Sequence, residues 1–92
     1  MSDNKTAFEA MKMRHFLQTG KALTNEDIIM DVFPANNSIK VEDIMRRVFR
    51  KYGTQYDSDS VRSDLMRAIL SLNDKNIIVR VEHGVYKWNQ ND

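Results

Sequence analysis

Cysteine is absent from the 92 residues, which excludes disulfide stapling, thiolate zinc sites and cysteine nucleophiles together. A short chain without staples points to a reducing compartment, so a cytoplasmic location is expected. Proline occurs once and glycine three times, too few for a collagenous, linker-rich or low-complexity chain. No apolar run approaches the roughly 18 residues needed to span a bilayer. The opening Met1-Ser2-Asp3-Asn4-Lys5 lacks the basic start and apolar stretch of a signal peptide. Neither export nor a membrane partner is expected. An excess of one charge is missing too: 14 Lys and Arg against 13 Asp and Glu give a formal +1. Any basic surface must therefore come from uneven distribution.

What is present, 41% hydrophobic and 29% charged residues, suits one small domain with a single core. The first 37 residues carry four bases and five acids, and the remainder ten bases and eight acids. Six methionines suit irregular core gaps or an adaptable binding surface.

From Lys5 to Thr19 neither Gly nor Pro interrupts a helix, and Gly20 supplies its stop. Phe8, Met11 and His15 fall on one side, while Met13, Phe16 and Leu17 lie on others. Two apolar faces imply two packing surfaces, one toward the domain's own core and another toward a second protomer or the same core. Thr24-Asn25-Glu26-Asp27 places a capping hydroxyl ahead of two carboxylates, opening a second helix that Pro34 ends. Its buried face is Ile28, Ile29, Val32 and Phe33. A very short strand follows at Ile39-Lys40-Val41. A third helix, from about Val41 to Tyr52, repeats Val41, Ile44, Val48 and Tyr52 at helical steps. Its opposite arc carries Arg46, Arg47, Arg50 and Lys51, suited to phosphate contact or to a plain solvated face that favours the helix dipole. A turn through Thr54-Gln55-Tyr56-Asp57 leads to a fourth helix capped by Asp57 or Ser58, with Val61, Leu65, Ala68, Ile69 and Leu72 inward.

Ile77 to Glu82 and Val85 to Trp88, separated by His83-Gly84, read as a hairpin. A two-residue turn sets Val81 opposite Tyr86, Val79 opposite Trp88 and Arg80 opposite Lys87. One face is then wholly apolar, and two like charges oppose each other on the other face. Such a pair is mildly destabilising unless an external anion lies between the two or both side chains splay into water. The closing Asn89-Gln90-Asn91-Asp92 reads as a frayed polar tail.

Only two histidines occur, His15 and His83, and they form no metal-ligand spacing. Thr19-Gly20-Lys21 lacks the rest of a phosphate loop, and no serine, histidine and aspartate are arranged in a specific catalytic pattern. No enzymatic activity, cofactor or metal is expected.

From Thr24 to Trp88 the succession of helix, short strand, helix, turn, helix and hairpin resembles the winged helix-turn-helix family. The closest match is Ser58-Asp59-Ser60-Val61-Arg62-Ser63-Asp64-Leu65 running on through Leu72 to Asn76-Ile77-Ile78-Val79-Arg80-Val81, with His83-Gly84 as the wing tip. The chain departs from the family at Val41, where a Ser or Thr cap is usual, and in a longer turn before the last helix. The resemblance implies an α+β, mostly helical fold: residues 21–92 as a winged-helix domain with a three-helix core and β-hairpin wing, preceded by an extra helix in residues 1–20 that serves as a dimerisation arm. It implies a small transcriptional regulator that binds double-stranded DNA, reading the major groove with the helix at about 58–73. Ser60, Arg62, Ser63 and Arg67 are its base-reading candidates. Arg80, His83 and Lys87 on the wing and Arg46, Arg47 and Arg50 are backbone candidates. The alternative is a protein-binding module in a replication or transcription assembly. Asp59 and Asp64 sit poorly beside a polyanion, and Met13, Phe16, Leu17, Met66 and Leu70 offer apolar contacts to a second copy or another protein.

Overall fold

Thr24 begins its helix through two reciprocal hydrogen bonds. The Asp27 N–H donates to its hydroxyl at 3.1 Å, and its own N–H donates to the Asp27 carboxylate at 3.0 Å, so two donors that the first helical turn leaves unpaired are satisfied. This helix, α2, spans Asn25–Val32. The computed structural model describes residues 4–90; Met1, Ser2 and Asp3, part of the reading against a signal peptide, and Asn91 and Asp92 of the tail lie outside it. Before α2 comes α1, Asn4–Thr19, closed at Gly20, whose φ of 75° is left-handed backbone that glycine adopts without strain. After α2 follow β1 (Ile39–Lys40), α3 (Val41–Tyr52), a single 3-10 turn (Thr54–Tyr56), α4 (Asp59–Asp74), β2 (Ile78–Glu82) and β3 (Val85–Trp88). The architecture is α+β and mostly helical: among the described residues, four α-helices and one antiparallel sheet of strand order β1-β3-β2.

Ser58 is the cap of α4, its hydroxyl accepting from the Val61 N–H. At the other end Asn76 has a φ of 61°. Its N–H donates to the Asn73 carbonyl and that of Ile77 to the Leu72 carbonyl, both at 3.0 Å, so the helix closes on a left-handed asparagine and turns directly into β2. Between these ends Val61, Leu65, Ala68, Ile69 and Leu72 are all buried, as their spacing predicts. They form the spine of the core, meeting Ile28 and Ile29 from α2, Ile44 and Val48 from α3, and Ile39, Ile78 and Tyr86 from the sheet.

Three expectations are corrected. In α3 the buried stripe is Ile44, Met45, Val48 and Phe49, with Val41 and Tyr52 only half-buried. The 3-10 turn carries Tyr56 inward, and Met45 and Phe49 join it and Ile44 and Val48 in one buried cluster, so the apolar face of α3 is wider than a single stripe. In the hairpin, Glu82 pairs with Val85 next to the turn, but Val81 bulges, leaving Arg80 opposite Tyr86 and Val79 opposite Lys87. The extra residue shifts the register, so the facing Arg80 and Lys87 pair does not form and Val81 is 45% exposed. The inward side of the sheet is instead Ile78, Tyr86 and Trp88, with Ile39 beside Tyr86. Finally, the start of the tail is bonded to the body. The Asn89 side chain donates to the Asn76 carbonyl at 2.7 Å, and that of Gln90 to the Ala35 carbonyl at 3.0 Å.

Phe8 anchors α1, buried edge-to-face against Tyr56 at 5.6 Å. Lys5 reaches Asp64 in α4 at 3.3 Å, and Asn4 donates to the Gln55 carbonyl at 2.9 Å. Among the described residues no helix is long and apolar enough to cross a membrane.

Candidate nucleic-acid interface

Helix α3 starts with Glu42 and Asp43 and ends with Arg50 and Lys51, the charge order its dipole favours. Because Ile44, Met45, Val48 and Phe49 face the core, Arg46, Arg47 and Arg50 are driven to the outer flank. There they meet β1 and the turn end of the hairpin. The Val41 N–H donates to the Gly84 carbonyl at 2.9 Å, holding the hairpin turn against the start of α3. The result is a cleft of about 480 Å³ lined by Lys40, Arg46, Arg47 and Arg50, together with Ser38, Ile39, Asp43, Glu82 and Val85. Four cations face two carboxylates. Arg46 pairs with Asp43, and the Arg47 guanidinium donates to the Val32 carbonyl at 3.2 Å. Lys40 and Arg50 are exposed and make no ion pair with any described residue. Lys51, from the same basic arc, turns away to Asp31 on α2.

The four residues proposed for α4 stand differently. Ser60 and Ser63 are exposed at its start. Arg62 is fully engaged: Nε donates to Asp57 Oδ1 at 2.7 Å, Nη2 to Oδ2 at 3.1 Å and Nη1 to Glu42 Oε1 at 2.9 Å, while its guanidinium lies 5.7 Å from the centre of the Phe49 ring. It ties the turn before α4 to the start of α3. Arg67 is exposed and pairs with Asp64 at 2.7 Å, a carboxylate that also receives Lys5. On the hairpin Arg80 Nη2 lies 3.0 Å from His83 Nδ1, where the imidazole nitrogen accepts, since a guanidinium can only donate. Lys87 is exposed on β3. Met66 is half-buried against the core and Leu70 is exposed.

Four of the basic candidates fall into two groups on adjacent flanks of α3, while Arg67, Arg80, His83 and Lys87 lie outside both. Arg46, Arg47 and Arg50 share the cleft with β1. Arg62 and Ser63 share a shallow depression with Val41, Glu42, Met45, Asp59 and Met66, where carboxylates offset the cation. Ser38 and Lys40 were missed as site residues. The alternation around Lys40 signals that it points away from the buried Ile39, but nothing local in the sequence says that this outward face meets the arginines of α3.

Several surface carboxylates are held below their usual range. Hydrogen bonds from Arg62 lower Asp57, hydrogen bonds from Lys75 and Ser71 lower Glu26, and those from Lys51 and Tyr52 lower Asp31. Tyr52 is pushed up to about 12, chiefly by burial and then by its bond to Asp31. A carboxylate lowered in the fold adds stability that is complete above its unfolded pKa and is lost as pH falls through the lowered value. Thermal unfolding of Asp57→Asn is therefore expected to fall below that of the parent at neutral pH, with the gap closing below about pH 4. A gap that persists in acid would mean that the Asp57 charge is not what Arg62 recognises.

No family model, curated protein or solved structure matches the chain.

Proposed function

We propose that the chain is a winged helix-turn-helix protein that binds duplex DNA as a small regulator of transcription, with α4 directed to the major groove and the β2–β3 hairpin as its wing. The order of the elements and the β1-β3-β2 sheet support this reading. The single observation that carries it is the convergence of Lys40, Arg46, Arg47 and Arg50 on one cleft beside the hairpin. A near-neutral chain has brought four cations against two carboxylates on one surface, and Lys40 and Arg50 among them make no ion pair with any described residue, so they can follow a phosphate backbone. Ser60 and Ser63, exposed at the start of α4, supply short-range hydrogen bonding to base edges. Arg62 has a structural part in this scheme, holding α4 against α3.

Fluorescence anisotropy with a mixed-sequence duplex tests the proposal. Four phosphate contacts predict an affinity loss of about a hundredfold between about 50 and 200 mM salt. Absence of binding at low salt overturns it. That outcome would favour a protein-binding module, for which the paired state of Arg62 and Arg67 and the exposure of Leu70 on α4 are the relevant observations.

A further inference from the structure

Helix α1 meets the body with one face only. Phe8 is buried and Met11, Lys12 and His15 are half-buried, whereas Met13, Phe16 and Leu17 are 58%, 46% and 74% exposed. Three large apolar side chains within five positions, all uncovered, need a partner more than scattered surface residues do. Their spacing says which kind. Thr6, Ala10, Met13 and Leu17 recur at steps of four, three and four residues and are all exposed, a heptad row turned directly away from Phe8. Small residues at two of these positions let a second helix approach closely, and Phe16 flanks the row.

We infer that α1 pairs with α1 of a second copy of this chain, parallel and in register. The charges beside the row select this direction. In a parallel pair a flanking residue meets the residue five positions further along the partner helix. Glu9 then meets Arg14, twice by symmetry. Glu9 is half-exposed beside Lys12 at 2.9 Å, and Arg14 is exposed and makes no ion pair with any described residue. An antiparallel pair centred on Met13 sets Arg14 against Arg14 instead. Because the face toward the body lies opposite the row, the two domains stand on the outer sides of the pair without collision. Four-turn helices side by side bury less than the roughly 800 Å² per partner of a standard interface, so the dimer forms at micromolar concentration and above.

The test uses the full chain in sedimentation equilibrium across that range. The parent is expected to move from the monomer mass toward twice that mass, while Leu17→Glu stays monomeric with unchanged circular dichroism, since Leu17 contributes nothing to the core. The natural absence of cysteine makes orientation readable: Ala10→Cys is expected to cross-link under mild oxidation, and the cross-link to vanish when Leu17→Glu is added. A parent monomeric at every concentration overturns the inference. So does a dimer that survives Leu17→Glu, and a dimer in which Ala10→Cys does not cross-link. Each of these readouts is independent of DNA binding.

Discussion

Reversing Arg46 and Arg50 together, as Arg46→Glu with Arg50→Glu, is expected to lower duplex affinity on the order of a hundredfold and to reduce the slope of log affinity against log salt by about 2. Each substitution removes a cation and places a carboxylate in a cleft that already holds Asp43 and Glu82. Both side chains are exposed, and among the described residues the only ion pair lost is Arg46 with Asp43, spaced three residues apart on one helix. Such a pair contributes about 0.2–0.5 kcal/mol, so the fold should persist and the loss be one of binding. Lys21→Glu, exposed after the end of α1 and outside the cleft, controls for net charge and should change affinity far less. If the double variant binds as the parent does, the cleft is not the contact surface. If the control loses as much, bulk charge and not placement governs binding.

Phe8→Ala is expected to cost about 3–5 kcal/mol, a large part of the roughly 5–15 kcal/mol that holds a domain of this size folded. Phe8 is 2% exposed. Its ring meets Tyr56 edge-to-face at an interplanar angle of 61°, and the Lys12 ammonium lies 5.1 Å from its centre. Removing the ring opens a cavity between α1 and the 3-10 turn, strips Tyr56 of its cover and loosens the half of α1 that touches the body. In thermal unfolding this corresponds to a drop on the order of 20 °C. Phe16→Ala, on the uncovered face of the same helix, should change monomer stability by no more than about 0.5 kcal/mol. Equal effects at the two positions would mean that α1 does not pack as described.

The helices were legible wherever local chemistry sets them. Thr24 with Asp27, Ser58, and Gly20 are stop and start signals whose hydrogen bonds involve residues at most four apart, and the α4 stripe from Val61 to Leu72 follows from its period alone. On α3, Ile44 and Val48 follow from the spacing, but Val41 and Tyr52 fit it as well as Met45 and Phe49 do. What decides between them is the side on which the rest of the core packs, a tertiary fact. The hairpin turn was legible from His83-Gly84, but its register was not: a bulge at Val81 obeys the same alternation rule up to the residue where it breaks it. In the candidate site, Arg46, Arg47 and Arg50 could be named from one helix face. That they meet Lys40, and that Arg62 is consumed by Asp57 and Glu42, depends on residues brought together from separate elements.

The central place of β3 in the sheet bears on how the domain is made. Ile39 and Lys40 find their partners only in Tyr86 and Val85, and the first N–H of α3 only in Gly84. On the ribosome, α1, α2 and α3 emerge with these groups still bonded to water, and they cannot settle until the hairpin has been synthesised. Pairing so distant in the chain slows folding relative to a bundle of local contacts. It also couples the two halves, so that a protease cutting between α3 and α4 in a transiently opened molecule would release pieces that each lack part of the sheet, and no stable intermediate fragment should accumulate.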